Sequence, residues 1–331
     1  MKPKALNQAI VPAGLVHPYP FDPSYGYTLA ELLSIKPPAA PGDFDAFWRS
    51  RYEETRKVAV DPIRLRELEG SKTTAVWEIN YRSLGGIRIG GWLTLPRGQK
   101  PTKGIVVGHG YGGRGEPELD FPAADAALLF PCARGMSRSR LDGVPESSER
   151  HVLHGIDHRD TYIHGGCVAD LWCGVSALQQ LVPECAERLG YAGGSFGGGI
   201  GAMALPWDSR IRRAHLGVPS FGNHPIRLQL SCVGSGEAVR RYAQQHPPIV
   251  DRVLPYFDSA IAAIRIRTPT LVAAALFDPA VPPPGQFSVF NALPAQPNQL
   301  FILTAGHFEY AAAAEQDRQL RIACRRFFEA L

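Results

Sequence analysis

The sequence predicts an α/β protein with a mostly parallel central sheet and helices on both faces, preceded by an antiparallel hairpin and a wrapping N-terminal arm. Short apolar runs of strand length alternate with longer helical patterns, which is typical of parallel strands joined by helices. The chain has 331 residues, of which 45% are hydrophobic and 20% are charged. A globular chain of this length buries about three quarters of the surface that its unfolded form exposes.

The first part of the chain is predicted to form an arm and an aromatic helix. Residues 1–42 are rich in proline and aromatic side chains, and we expect them to wrap around a single domain formed by 43–331. A helix is predicted over 43–57, with Asp43 as its N-cap. Its aromatic residues fall on one face, where core packing explains them better than ligand contacts: Phe44, Phe47, Trp48 and Tyr52.

Apolar runs bounded by turn residues give the remaining elements. The predicted strands are 74–82 and 87–95, which form the hairpin, and then 104–107, 127–130, 189–192, 211–218, 270–277 and 299–304. Long helices are predicted over 161–181 and 311–331. Residues 219–265 break the alternation and are predicted to be an insertion over the site.

A Gly193-x-Ser195-x-Gly197 motif lies between a predicted strand and a predicted helix. Glycines on both sides of the serine remove the Cβ atoms that would clash in a tight turn, and the turn lifts the hydroxyl clear of the backbone. This arrangement is typical of the nucleophile elbow of α/β-hydrolases. The alternative is a glycine-rich turn in which the serine is incidental.

A serine nucleophile needs a base, and the base needs an acid to orient it. In the α/β-hydrolase fold the chain order is serine, acid, histidine, and the active groups follow the carboxyl ends of strands. His307 directly follows the strand 299–304, and Asp278 ends the strand 270–277. We therefore predict Ser195 as nucleophile, His307 as base and Asp278 as the orienting acid. Taken singly, His307 fits a surface loop and Asp278 fits a turn before a proline.

The oxyanion of such a reaction needs preorganised N–H donors. The N–H of Phe196 is one candidate, because it directly follows the nucleophile. The second donor is expected in the loop after an early strand, and the N–H of Tyr111 fits that place. His109, in the same loop, is predicted to support it through a hydrogen bond rather than to act as a base.

A histidine-rich segment offers a competing site. It contains His151, His154, Asp157 and His158, with His164 nearby. Such clustering can bind a metal ion. No Cys or Glu completes a ligand set at helical spacing, so a polar loop is the favoured interpretation and no metal is assigned.

Charge and hydropathy argue against nucleic-acid and membrane partners. The formal net charge is +4 at pH 7, and the basic residues are scattered. No apolar run reaches the eighteen residues of a transmembrane candidate. The N-terminus shows no signal-peptide pattern. The six cysteines lie far apart without zinc spacing, so we expect free and mostly buried thiols.

From about Asp43 to the C-terminus, the chain resembles the acetyl xylan esterase and cephalosporin-C deacetylase group, carbohydrate esterase family 7. The matching motifs are Asp43-Phe-Asp-x-Phe-Trp48, Gly91-Trp-Leu-x-Leu-Pro96, His109-Gly-Tyr111, Arg134-Gly135, Gly193-Gly-Ser-x-Gly-Gly198, Asp278-x-x-x-Pro-Pro283 and Gly306-His307. Together these motifs are specific, although most are weak singly.

The resemblance implies a cytoplasmic α/β-hydrolase that removes acetyl groups from small O-acetylated sugars and related acetate esters. It implies no cofactor and a homo-oligomer, often a hexameric ring. By motif, it places Ser195, Asp278 and His307 in the triad and Tyr111 and Phe196 in the oxyanion hole. Tyr111, Phe196 and Met136 would also contact the substrate.

The chain departs from the family pattern beside the predicted site. Arg-Gly-Gln becomes Arg134-Gly-Met136, the glutamine after the nucleophile becomes Phe196, and Phe308 separates the histidine from the following glutamate. The tyrosine-rich stretch before the long helix becomes Thr161-Tyr-Ile-His-Gly165. These changes predict a reshaped acyl or alcohol pocket.

Two alternative functions remain open from the sequence. A prolyl-oligopeptidase-type peptidase shares the elbow and the chain order, although the residues before the first predicted strand are too few for a propeller domain. A catalytically silent hydrolase fold used for binding is the other. The intact set of three predicted catalytic residues argues against the silent fold, and the short N-terminal part argues against the peptidase, so a serine esterase is the favoured interpretation.

Overall fold

The computed structural model describes residues 5–8, 15–295 and 297–331, apart from the side chains at positions 249 and 250. Within this part of the chain, nine strands form one sheet in the order β1-β2-β3-β5-β4-β6-β7-β8-β9. The strands are β1 (Ile63–Leu68), β2 (Thr74–Arg82), β3 (Arg88–Pro96), β4 (Gly104–Val107), β5 (Ala127–Pro131), β6 (Leu189–Gly194), β7 (Ile211–Gly217), β8 (Thr270–Ala275) and β9 (Gln299–Leu303).

The sheet is antiparallel at one end and parallel over the rest. β1, β2, β3 and β5 pair antiparallel in turn. The strands β4 to β9 run parallel to one another. Residues in β4, β5 and β8 are buried along their whole length, which is the pattern of strands covered on both faces.

Helices cover both faces of this sheet. They are α1 (Leu29–Leu32), α2 (Phe44–Arg56), α3 (Ser148–His151), α4 (Ile163–Leu181), α5 (Phe196–Ala204), α6 (His224–Arg227), α7 (Ser235–Gln245), α8 (Pro247–Val253), α9 (Ser259–Ala263), α10 (Pro283–Ala292) and α11 (Ala313–Glu329). One core lies between the sheet and α2, α4 and α5, and a smaller core lies under α11 on the other face. No helix of the described residues combines the length and apolar character that a bilayer crossing requires.

The predicted strands and long helices are all present, and their ends differ from the expected ones by at most two residues. The hairpin pairs Thr74 with Pro96 and Arg82 with Arg88. The strand β1 was not predicted. Its residues are mostly exposed and include two arginines, so it lacks the buried run that marks a central strand and is held as an edge by pairing with β2.

The aromatic helix α2 begins where it was predicted, with Asp43 at the N-cap position, but the Asp43 side chain does not cap the helix. The Asp43 side chain makes no hydrogen bond to the N–H groups of the helix. Instead its carboxylate accepts hydrogen bonds from Arg159 Nη1, at 2.7 Å, and from the Tyr256 hydroxyl. Phe44 and Trp48 are fully buried, which agrees with the prediction that the aromatic face packs into the core.

The predicted arm, 1–42, lies partly outside the described residues. Its described part runs along the body, since Asn7 exchanges two hydrogen bonds of 2.8 Å with the backbone of Ile302 in β9. Further on, the Pro23 carbonyl accepts a hydrogen bond of 3.0 Å from the N–H of Asp278. The arm therefore reaches the carboxyl edge of the sheet, where the predicted site lies.

The segment 219–265 forms α6 to α9 between β7 and β8. Its last helix, α9, packs against α5 and α10 in the body of the domain. Its first part, from Ser220 to Ser235, lines a cleft beside Ser195. The division of the chain into an arm and one domain with an insertion stays a prediction.

Candidate active site

Ser195 occupies a sharp turn between β6 and α5. Its φ is +52° and its ψ is −116°, a backbone conformation that residues other than glycine rarely adopt and that functional sites often hold under strain. A Cβ atom on Gly193 would lie 2.5 Å from Tyr191 Oη, and one on Gly197 would lie 2.9 Å from the His109 carbonyl oxygen. Both flanking glycines are therefore required by close contacts.

The three residues predicted from separate strand ends meet at this turn. His307 Nε2 lies 3.0 Å from Ser195 Oγ, and His307 Nδ1 lies 2.9 Å from Asp278 Oδ2. The carboxylate can only accept, so Nδ1 carries the proton and Nε2 is free to accept the serine proton. The arrangement can convert a hydroxyl into a nucleophile.

Asp278 is completely buried and held by several donors. The N–H groups of Ala280 and Val281 each donate to its Oδ1 at 2.9 Å, and Gln286 Nε2 donates to its Oδ2 at 3.0 Å. The side chain of Gln286 also accepts a hydrogen bond from the N–H of Ala275, which fixes the direction of its amide. Gln286 was not predicted, because nothing in the sequence of α10 signals that it faces Asp278.

The environment of His307 favours its charged form. Burial alone lowers the pKa of this imidazole, but the charge of Asp278 and its hydrogen bond outweigh burial and raise the pKa above the usual value of 6.5. The side chain is 30% exposed, while that of Asp278 is not exposed at all. The base thus lies on the partly exposed side of the site, and its orienting acid lies on the buried side.

The loop after β4 lies against the elbow, as predicted. Gly197 N–H donates to the His109 carbonyl at 2.9 Å, and a Cβ atom on Gly110 would lie 3.8 Å from the Cβ of Ser195. His109 itself supports the loop, because Ala133 N–H donates to its Nε2 at 2.9 Å and its Nδ1 lies 2.7 Å from the Gly110 carbonyl oxygen. Burial lowers the pKa of His109 to about 4, so the ring is neutral and is not a competing base.

Tyr111 extends from this loop to a buried pair of histidines. Its hydroxyl lies 2.9 Å from His164 Nε2 and 3.4 Å from His151 Nδ1. His151 Nε2 lies 3.0 Å from the Arg134 carbonyl oxygen, which can only accept, so His151 carries its proton on Nε2. Burial lowers the pKa of both histidines. The phenol is thus held by two neutral rings, those of His151 and His164, which belong to the histidine-rich group considered above as a competing metal site.

The histidine-rich segment forms no metal centre in the described part of the chain, where no three His, Cys, Asp or Glu side chains are grouped to hold an ion. Asp157 accepts a hydrogen bond of 2.7 Å from the Tyr242 hydroxyl, and His158 lies beside Asp160. The six cysteines are free and buried, as predicted.

A cleft of about 270 Å³ opens beside Ser195 and His307. Its lining comes from the loops after β4, β6, β8 and β9, from the start of α3 and from the segment after β7: Gly110, Tyr111, Ser148, Ser195, Ser220, Phe221, Arg227, Val233, Gly234, Ser235, Ala280, Val281 and His307. Sequence reasoning singled out three of these residues and predicted that 219–265 lies over the site, but it named none of the residues that 220–235 contributes, because they carry no motif.

Two side chains predicted to contact substrate lie elsewhere. The Phe196 ring is 2% exposed and packs on the Tyr111 ring with a centroid distance of 4.4 Å. Met136 is 1% exposed and belongs to the main core. Neither side chain lines the cleft, so any influence of these two side chains on the substrate passes through neighbouring residues.

The parallel sheet, the strained serine turn and the hydrogen-bonded Ser195, His307 and Asp278 define the class of this protein as an α/β-hydrolase. The family model for acetyl xylan esterase (AXE1) matches residues 27–326. The chain belongs to this family. The family prediction made from the motifs is confirmed.

Similar proteins agree with this assignment. The acetyl esterase Axe7A of Xylanibacter ruminicola is 22% identical over 282 residues, which cover 78% of this chain and 62% of that protein. The structure of an acetyl xylan esterase from Paenibacillus sp. R4 superposes with a TM-score of 0.75 and 25% identity, covering 92% of this chain and 99% of the other. Acetyl xylan esterase 1 from Thermoanaerobacterium sp. JW/SL YS485 shares the fold, with a TM-score of 0.78, 19% identity and the same coverage.

Proposed function

We propose that this protein is a serine esterase that hydrolyses acetyl and other short-chain acyl esters of small carbohydrates or related compounds through an acyl-enzyme. Membership of the acetyl xylan esterase family supports acetyl-ester hydrolysis by a serine hydrolase. The observation that carries the proposal is the unbroken series of hydrogen bonds from Ser195 through His307 to Asp278. The small volume of the adjoining cleft fits a short acyl group.

In the proposed reaction His307 Nε2 takes the proton of Ser195 as its oxygen attacks the ester carbonyl. The N–H groups of Tyr111 and Phe196 hold the oxyanion, and Asp278 stabilises the imidazolium that forms. The alcohol then leaves with the proton from His307. Water attacks the acyl-enzyme by the same route and releases the acid.

The primary test is Ser195→Ala, which removes the nucleophile and leaves the fold intact. We expect kcat for p-nitrophenyl acetate to fall by about 10⁴ to 10⁶. The matched control is Ser50→Ala, since Ser50 is exposed on α2 and far along the chain from the site. Turnover near the wild-type rate in the Ser195 variant would contradict the proposed nucleophile.

The substrate needs a separate panel. We propose acetylated xylo-oligosaccharides as the first candidates and cephalosporin C as a second, on the strength of the family resemblance. Acetyl, butyryl and longer esters of p-nitrophenol measure the acyl limit of the cleft. A proline-amide substrate in the same panel tests the peptidase alternative, which the family match disfavours, and labelling of Ser195 by a fluorophosphonate tests the silent-fold alternative.

We also propose that the protein works in the cytoplasm as a homo-oligomer, with a hexamer as the first form to look for. The motif resemblance supports this proposal. Light scattering coupled to size-exclusion chromatography measures the mass of the assembly. A monomer at all concentrations used in the assays would contradict it.

A further inference from the structure

Arg227 is a buried cation in the wall of the proposed active-site cleft. It ends the short helix α6, its residue is 8% exposed, and it lines the same cleft as Ser195 and His307. It is the one permanently charged side chain among the described residues that line this cleft.

The position of the guanidinium is set by two neighbours. Arg227 Nη1 lies 3.3 Å from His224 Nδ1, and His224 Nε2 lies 3.2 Å from the Phe257 carbonyl oxygen. The carbonyl can only accept, so His224 carries its proton on Nε2 and its Nδ1 accepts from Arg227. The guanidinium carbon also lies 5.8 Å from the centre of the Phe221 ring. Both contacts orient the charge, and neither neutralises it.

The acidic side chains on the adjoining elements are engaged with other groups. Glu237 forms ion pairs with Arg240 at 2.7 Å and with Arg241 at 2.8 Å. Asp258 accepts hydrogen bonds from four backbone N–H groups. Asp278 is bound to His307. Within the part of the chain that the structure describes, no carboxylate forms an ion pair with Arg227.

A buried charge without a counterion is costly, and a guanidinium stays protonated rather than lose that charge. Its planar set of N–H donors matches the two oxygens of a carboxylate. We propose that Arg227 binds a carboxylate carried by the substrate, so that the preferred substrates are small esters with an acidic group. This inference rests on the proposed esterase function and narrows its substrate class.

Pairs of substrates that differ only in the acidic group isolate the effect of that group on kcat/KM. Acetoxyacetate and acetoxyacetamide place a carboxylate or its neutral amide on the alcohol side of the ester. Monomethyl succinate and methyl succinamate do the same on the acyl side. The measured quantity is the ratio of kcat/KM for the acid to kcat/KM for the amide, in the wild type and in Arg227→Gln.

We expect the wild type to prefer the acid in one of the two pairs, and the pair that responds shows which side of the ester faces Arg227. In Arg227→Gln this ratio should fall by about tenfold or more, because the charge and the paired donors are lost. Arg227→Lys keeps the charge but loses the planar set of donors, so its acid-to-amide ratio should lie between that of the wild type and that of Arg227→Gln. Arg241→Gln is the control, since Arg241 is an exposed arginine on α7, and its ratio should equal that of the wild type.

Binding of the carboxylate can also be measured on the wild-type protein alone, without turnover. We expect succinate to raise the Tm of the wild type more than succinamide does. The proposal would be overturned if the acid-to-amide ratios did not change in Arg227→Gln, or if succinate and succinamide had equal effects on Tm. Hydrolysis of the neutral esters would in that case still support the esterase function. Loss of turnover for every ester, with a Tm shift by succinate alone, would instead reject the esterase function and retain the anion site.

Discussion

Replacing Asp278 with asparagine is a strong test of the proposed catalytic geometry, because the surroundings of this side chain dictate how the amide must turn. The two backbone donors, Ala280 N–H and Val281 N–H, both point at Oδ1. An asparagine would keep its carbonyl oxygen there to avoid burying two unpaired donors. Its NH₂ group would then replace Oδ2.

That orientation places a donor at the shorter of the two contacts to the base. In the native protein His307 Nδ1 lies 2.9 Å from Oδ2 and 3.1 Å from Oδ1, and an NH₂ group in place of Oδ2 favours the tautomer in which Nδ1 accepts. In that tautomer the imidazole carries its proton on Nε2 and cannot accept the proton of Ser195. The NH₂ group also faces Gln286 Nε2, and this second donor cannot turn away because Gln286 Oε1 is held by Ala275 N–H at 2.8 Å.

The expected loss is on the order of 10⁴ in kcat, because the wrong tautomer removes general-base catalysis while the oxyanion donors remain. A factor of 10⁴ corresponds to about 5.4 kcal/mol in the activation free energy. The assay is steady-state hydrolysis of p-nitrophenyl acetate, with the free energy of unfolding measured alongside. Asp251→Asn, on the exposed side of α8, is the matched control and should retain full activity. An Asp278→Asn enzyme within tenfold of the wild-type kcat would refute the tautomer argument.

Three further outcomes follow from the same structure. Because the pKa of His307 is raised, the imidazole is protonated and cannot act as a base at pH values below that pKa. We therefore expect kcat/KM to fall in acidic solution and to rise with pH through an apparent pKa above 6.5, and a midpoint below 6.5 would contradict this. Gly306→Ala should lower kcat at least tenfold, because its Cβ would overlap with Asp278 Oδ2, whereas Gly42→Ala, with open space around its Cβ, should be neutral in the same assay. Trp48→Ala should lower the free energy of unfolding by about 3–5 kcal/mol in denaturant titrations, because it empties a fully buried site and leaves the Tyr256 carbonyl without the indole donor, while the exposed neighbour Arg49→Ala should stay within about 0.5 kcal/mol.

The sheet could be predicted because its parallel strands carry their own signal. Residues 271–275 form a continuous apolar run, and every residue of the strand Thr270–Ala275 is buried between helices. The edge strand Ile63–Leu68 carries no such signal, because its side chains face solvent and its backbone pairing with β2 supplies the order. Prediction from apolar runs therefore succeeds where burial shapes the strand and fails where pairing alone holds it.

The three proposed catalytic residues could be placed because the fold constrains them twice, by chain order and by position after a strand. The groups that support them obey no such rule. Gln286 reaches Asp278 from the first turns of α10, and Gly306 is required because no side chain fits beside the Asp278 carboxylate. The requirements for Gln286 and Gly306 arise from tertiary contacts between segments that are distant in sequence. No local sequence pattern predicts such contacts.

The departures from the family pattern show why a residue's neighbour in sequence is a poor guide to its contact in space. Phe196 directly follows the nucleophile, yet α5 turns its ring inward, where it packs against the Tyr111 ring at a tilt of 39° and lies 6.1 Å from the Phe221 ring centre. We therefore expect a bulky residue at this position to influence substrate choice only through its contacts with Tyr111 and Phe221. Arg227, which no motif marks, lies in that segment and faces the cleft. Differences in substrate choice between this chain and its relatives should accordingly be larger for exchanges in 220–235 than for exchanges at Phe196 itself.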